Sequence, residues 1–308
     1  MRRTCLDMVY EMAKTDTRIV FIGSDLGYGT LDAFRKEMPE RFFMEGINEA
    51  HAVGMAAGLA LEGKIVYVNT IATFLTRRCF EQVVLDLCMH NVRVRLIGNG
   101  GGTVYAPLGA THLAFEDISI TRALPNMTIA CPADAEEMKR LMPLTVEHAG
   151  PMYIRLAKGF DPIVSRPELP FEIGKGIRMQ TGEDALIITT GITLKLALDA
   201  SERLKKEGIT AGILHLPFVK PLDTTAILEM AGLVQTVVSV EENTIIGGLG
   251  SAVAELLAET HFKTVKRFKR IGFPDVFPDQ YGSQAGLMER YNITGEAVAA
   301  AVRNLMTG

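Results

Sequence analysis

Hydrophobic positions along the chain follow two periods in turn. Short apolar runs ending in glycine or polar loops read as strands buried on both faces. They are "RIVFIGSDLG" (18–27), "RFFMEG" (41–46), "KIVYVNTI" (64–71), "VRVRLIGNGGG" (92–102), "MTIACPAD" (127–134) and "PMYIRLAKG" (151–159). Helical spacing fills the intervals, over 3–14, 31–38, 49–61 and 80–90, and again from near Ala135. Pro162, Pro167 and Pro170 then break the rhythm within 160–183, which reads as a linker with short extended pieces. A second set of strands follows in "DALIITTG" (184–191), "ITAGILHLPF" (209–218) and "TVVSVEEN" (236–243). Helices "LKLALDASERLKKEG" and "LGSAVAELLAET" lie between or after them. The alternation predicts an α/β protein of two domains, each a mostly parallel sheet flanked by helices. In such sheets ligands gather outside the carboxyl ends of strands. The segments to search are therefore 24–30, 46–51, 69–78, 98–112 and 158–161.

Composition narrows the class. With 308 residues and 48% hydrophobic content the chain can bury two cores. A net charge of −4 gives no electrostatic reason to expect nucleic acid or an anionic membrane as partner. No uncharged run approaches the ~20 residues of a membrane helix. The first residues carry Asp7 and Glu11 at helical spacing, unlike a signal peptide. The four cysteines show no CxxC spacing, so reduced, buried thiols in a cytoplasmic protein are expected.

Two segments carry candidate chemistry. "EGINEAHAVGMAAGLALEG" (45–63) sets Glu49 at the mouth of a helix made almost wholly of small apolar residues. By spacing alone Glu49 is either a first-turn glutamate facing the helix dipole, with Asn48 as N-cap, or a carboxylate held against apolar walls to exchange a proton with a bound heterocycle. In "TFLTRRCFEQ" (73–82), Phe74, Arg77 and Phe80 share a face if the segment is α-helical. They read as a core aromatic pair or as a platform for a flat ring.

These stretches occur in order with "GATHLAFEDISITRALPNMTIACPAD", "YIRLAKG", "PFVKPLD" and "VEENTIIGGLGSAVAE". Together they resemble the C-terminal two-thirds of transketolase and of 1-deoxyxylulose 5-phosphate synthase, and the beta subunits of 2-oxo acid dehydrogenases. All are thiamine diphosphate enzymes. The resemblance implies a pyrimidine-binding domain over 1–165, a linker over 166–183 and a transketolase C-terminal-like domain over 184–308. It implies that Glu49 contacts the 1′ nitrogen of the aminopyrimidine. A proton shared there favours the imino form, whose nitrogen deprotonates thiazolium C2. Phe74 matches the aromatic that stacks on the pyrimidine, and Arg77 the arginine of the synthase type. Ile71 stands where another synthase aromatic would be. Asp25 matches an aspartate near the thiazolium, and His112 the histidine that hydrogen-bonds the donor's oxygen.

Other positions depart from the pattern. No Gly-Asp-Gly motif is present in the sequence, so the resemblance implies that Mg²⁺ and the diphosphate are held by a partner, an N-terminal subunit with the diphosphate-binding domain. Leu108 and Ala110 replace the aspartate and proline of the transketolase "GxDGPTH" motif, Gly100 stands for a phosphate-contacting histidine, and Gly29 for a phosphate-binding serine. Arg155 and Lys158 are the remaining candidate anion contacts, equally readable as charges at a strand end. The expected function is two-carbon ketol transfer from a ketose, phosphorylated or not, to an aldehyde, on a specialised sugar. The partner subunit and self-association through the pyrimidine domain are both expected. Decarboxylation of a 2-oxo acid is the alternative enzyme reading, and a noncatalytic assembly subunit the third.

Overall fold

The computed structural model describes residues 1–24, 29–157 and 161–307. Asp25 and Lys158 lie outside the described residues. The first half runs α1 (Arg2–Thr15), β1 (Ile19–Gly23), α2 (Asp32–Glu37), β2 (Phe42–Met44), α3 (Glu49–Leu61) and β3 (Ile65–Ile71). A π-helical turn (Phe74–Arg78), a short α4 (Phe80–Gln82) and a second π-helical stretch (Val83–Met89) lead to β4 (Val94–Asn99). Then come α5 (Asp117–Arg122), β5 (Thr128–Ala130), α6 (Ala135–Glu147) and β6 (Met152–Leu156). The second half holds β7 (Ile177–Gln180), β8 (Ala185–Thr189), α7 (Leu194–Lys206), β9 (Ala211–His215), β10 (Phe218–Lys220) and α8 (Thr224–Leu233). It ends with β11 (Thr236–Thr244), α9 (Leu249–Ala258), β12 (Arg267–Phe273), α10 (Gln284–Arg290) and α11 (Gly295–Thr307).

Two sheets result, mostly parallel as the pattern predicts. The first has the order β10-β5-β6-β4-β3-β1-β2 and the second β12-β11-β8-β9-β7. Each has an antiparallel edge: β10 against β5, and β7 against β9. β10 comes from the second half of the chain but completes the first sheet. β7 begins inside the stretch read as a linker. Its short alternation, with Ile177 and Met179 buried and Arg178 exposed, is a weak signal beside three prolines.

Strand periodicity explains the two-sided burial of the first sheet. Ile19 and Phe21 of β1 face a cluster with Leu6 and Val9 of α1 and Leu141 of α6. Val20 and Ile22 face the opposite cluster, with Ala52, Val53 and Ala56 of α3. That second cluster continues without a break into Leu186, Ile188 and Leu214 of the second sheet and Leu216 just beyond β9. From β1 the chain passes to β2 on one side, and β3 then returns on the other. The crevice outside this reversal is where an open α/β sheet binds its ligand, and α3 begins there.

Asp134 fixes how the chain leaves the first sheet. It caps α6 through Glu136 N and Glu137 N, at 2.9 and 3.0 Å. It also accepts from Val164 N, Ser165 N and Ser165 Oγ, at 2.8, 2.7 and 2.8 Å. Burial alone would raise its pKa, but the hydrogen bonds from Ser165, Glu137 and Val164 outweigh burial and hold it below 3.8. A depressed carboxyl stabilises the fold above its unfolded pKa, and the contribution is lost as pH falls through the folded value. Asp134→Ala should cost about 2 kcal/mol at pH 7. The gap between wild type and variant in urea unfolding should narrow below pH 4, and a gap that persists undiminished at pH 3 would exclude the ionised cap.

Candidate active site

α3 is an unusually thin helix with a carboxylate at its mouth. Its inward stripe of Glu49, Ala52, Val53, Ala56 and Ala57 recurs at i, i+3, i+4, i+7 and i+8. Small side chains let the helix lie close on the sheet. Asn48 occupies the N-cap position without a side-chain capping bond, so it leaves the first turn to other partners. Glu49 is only 1% exposed. A carboxylate so far from water must be neutralised or hydrogen-bonded, and the side chain that does this is Arg78, whose Nη1 donates to Glu49 Oε2 at 2.7 Å.

Arg78 also stacks. Its Cζ lies 4.2 Å from the centre of the Phe74 ring, within cation–π range. The other edge of Phe74 meets His112, with ring centres 5.3 Å apart and planes at 64°. Glu49, Arg78, Phe74 and His112 therefore form one continuous row. The structure brings together three residues expected from the sequence and adds Arg78, which sequence reasoning passed over. That reasoning weighed Arg77 at i+3 from Phe74 and not Arg78 at i+4, which shares the same face in this π-helical turn. Arg78, not Arg77, lies over the Phe74 ring. The doubled arginine at i+3 and i+4 was the signal in the sequence.

Arg77 turns the other way. Its Nη2 donates to Leu113 O at 3.0 Å and to Thr111 O at 3.3 Å, and its Nε lies 3.0 Å from the Glu116 carboxylate. Burial pushes the Glu116 carboxyl up, and Arg77 opposes that shift. Arg77 thus grips the backbone on both sides of His112. Thr111 Oγ1 lies 2.9 Å from His112 Nδ1, and Nε2 has no hydrogen-bond partner among the described residues. Ile71 ends β3 half-buried. Just before it Thr70 pairs with Ser24 across the strand ends. Asn99 donates to Asn69 Oδ1 at 3.1 Å, while its own buried Oδ1 has no partner among the described residues. Leu108 sits in the 3₁₀ turn Ala106–Leu108, 49% exposed.

Arg155 corrects an expectation. It does not offer its guanidinium to an anion, because the interior consumes it. Nε donates to Asp117 at 2.8 Å, and Nη2 donates to Glu242 O at 2.8 Å and Ala114 O at 3.2 Å. Burial works against its charge, and the Asp117 and Glu242 carboxylates more than offset it. Glu242 in turn accepts from Thr103 N and Oγ1 and from Gln284, each at 2.8 Å. This cluster seals the 100–114 loop between the sheets. Glycine is required along it. A Cβ on Gly102 (φ +71) would lie 2.3 Å from the Glu242 carboxyl carbon, and one on Gly100 (φ +69) 2.2 Å from the Tyr105 ring. A histidine at position 100 would require the Tyr105 ring to move and the backbone to hold a left-handed conformation that side chains disfavour. Replacing Arg77 with Ala should free the His112 loop. Amide hydrogen exchange across 109–116 should rise about tenfold, and unchanged exchange would show that the loop is held by other contacts.

The chain matches two family models: "Transketolase, pyrimidine binding domain" over residues 1–160 and "Transketolase, C-terminal domain" over 174–298. It is 34% identical, over 99% of its length and 94% of the relative's, to a 6-deoxy-6-sulfo-D-fructose transketolase subunit of Clostridium sp. (strain MSTE9). It is 40% identical to a 1-deoxy-D-xylulose-5-phosphate synthase of Syntrophotalea carbinolica, covering 96% of this chain but 46% of that protein. Among solved structures a split-gene transketolase, an inactive beta4 tetramer, superposes with a TM-score of 0.89 at 36% identity, covering 99% of this chain and 97% of that one. With two domain models accounting for most of its length and a subunit-sized relative above 30% identity, the chain belongs to the transketolase family.

Proposed function

We propose that the chain is the C-terminal subunit of a split, thiamine diphosphate-dependent transketolase-type enzyme that moves a two-carbon ketol unit from a ketose to an aldehyde. The observation that carries this reading is the buried Glu49 carboxylate set beside the Phe74 ring, with one flat cation bridging the two. A planar, nitrogen-bearing cation, the Arg78 guanidinium, already lies on the Phe74 ring and hydrogen-bonds Glu49. A slot with an aromatic floor and a buried carboxylate fits a flat aminopyrimidine. Thiamine diphosphate supplies the carbon nucleophile and electron sink for breaking and making a bond beside a carbonyl.

The chain's own residues have distinct tasks. Glu49 holds a proton at a ring nitrogen, and the apolar start of α3 keeps water from that exchange. Phe74 orients the ring. His112, gripped through its neighbours by Arg77, presents Nε2 to a substrate oxygen. Leu108 gives the acceptor side an apolar surface where transketolase has an aspartate, which favours a specialised acceptor over a hydroxylated one. With Arg155 consumed, binding of a substrate anion falls to other groups.

The half-site needs a second chain for the diphosphate and Mg²⁺, whose ligands are expected on an N-terminal subunit in a cytoplasmic heterotetramer. The outer side of α3 and the turn before it support self-association of the pyrimidine domain, taken as 1–165: Ile47, two residues before the helix, and Leu61 at its end are 78% and 60% exposed, and a Cβ on Gly58 would meet nothing within 4 Å. Among the described residues no helix is long and apolar enough to cross a membrane. A second reading, decarboxylation of a 2-oxo acid, draws on the 40% identity to a deoxyxylulose phosphate synthase. Release of CO₂ from pyruvate, rather than ketose cleavage, would favour it.

Glu49→Gln keeps the shape and removes the negative charge. In the two-chain complex loaded with thiamine diphosphate and Mg²⁺, deuterium exchange at C2 should slow by roughly 10²–10⁴-fold, with the circular dichroism spectrum unchanged. Exchange at the wild-type rate would return Glu49 to a purely structural pairing with Arg78.

A further inference from the structure

We infer that Arg78 is a latch that occupies the ring slot in the cofactor-free chain and must swing out before the aminopyrimidine enters. The inference rests on the cofactor reading above. Three features of the side chain carry it. It bonds the buried oxygen Glu49 Oε2, at 2.7 Å. It covers the face of Phe74, with Cζ 4.2 Å from the ring centre. It remains 46% exposed itself, while Glu49 is 1% exposed. A guanidinium and an aminopyrimidine share what the slot demands: a flat outline, a π-compatible face and an N–H aimed at a carboxylate. Both cannot hold the same carboxylate oxygen and the same ring face.

A latch answers a physical problem of a divided site. Without cofactor the Glu49 carboxylate would stay buried and unpaired, a costly state. Arg78 pairs it, and its exposed outer side gives it an unobstructed path back to water. Arg77 is tied at more points, with Nε on Thr73 Oγ1 and the Glu116 carboxylate and Nη2 on Thr111 O and Leu113 O. The two consecutive arginines of the Phe74–Arg78 turn point to different partners, Arg77 as a brace and Arg78 as a movable plug. The plug makes cofactor entry conditional: apparent affinity is lowered by the fraction of molecules whose slot is open.

Two measurements test the latch, neither of them turnover. In the isolated full chain, urea unfolding of wild type, Glu49→Gln, Arg78→Gln and the double variant gives the coupling between the two side chains. The latch predicts clear coupling without cofactor, and additive effects would overturn it. In the complex with the diphosphate-domain subunit, stopped-flow fluorescence then follows thiamine diphosphate association at saturating Mg²⁺. Arg78→Gln and Arg78→Ala should bind the cofactor faster and about tenfold more tightly, with Arg78→Lys closer to wild type. Weaker binding in the Arg78 variants would make Arg78 a fixed contact of the bound cofactor and overturn the latch. If that result came with a large loss of binding in Glu49→Gln, the cofactor reading would stand while the latch fell. If neither position affected binding, both would fall.

Discussion

A carboxylate with 1% exposure at the start of a helix is the constraint around which the first half of this chain is arranged. Burial disfavours its charge, the positive end of the α3 dipole favours it, and a cation must complete the balance. The small residues of α3 let Glu49 sink to the level of the strand ends. The reversal of strand order around β1 sets the strand ends beside which α3 begins. The π-turn after β3 delivers both the aromatic floor and the cation. Change any one of these and the carboxylate is either solvated or stranded.

A second buried charge cluster serves the assembly of the halves. Arg155, Asp117, Tyr153 and Glu242 link β6, α5 and β11, with Asp117 accepting from the Tyr153 hydroxyl at 2.6 Å and from Arg155 at 2.8 Å. Together with β10, which completes the first sheet from the second half, it makes the second half a clamp on the loop that carries His112. The four cysteines take no part. All are buried and free, and burial pushes the Cys5, Cys79 and Cys131 thiols up to about 12.

Much of the fold was legible because strands buried on both faces leave continuous apolar runs. α3 spans the residues the pattern gave it, β3 begins one residue later than read, and β1 and β4 lie inside the longer runs assigned to them. β7 and β12 were missed for a physical reason: edge strands expose half their residues and borrow their order from a neighbour. At the candidate site, Glu49, Phe74 and His112 were singled out through the order of motifs, and the structure links Phe74 to His112 directly and to Glu49 through Arg78. Arg78 was passed over although it stands at i+4 from Phe74, since the sequence alone does not say which of two adjacent arginines stacks on the ring. Arg155 was misjudged, since a strand-end arginine looks the same in sequence whether it faces a ligand or two buried carboxylates. Asp25 and Lys158 fall outside the described residues.

The central claim is that this chain holds half of a cofactor site, with the ring slot built and the diphosphate anchor supplied elsewhere. Titration calorimetry of thiamine diphosphate with Mg²⁺ tests it most directly, first into the isolated chain and then into the chain reconstituted with a subunit carrying the diphosphate domain. The account predicts heat consistent with tight, metal-dependent binding only in the reconstituted complex, and millimolar or undetectable binding to the chain alone, since most of the cofactor's charge would lack a partner. Micromolar, metal-dependent binding to the isolated chain would contradict it.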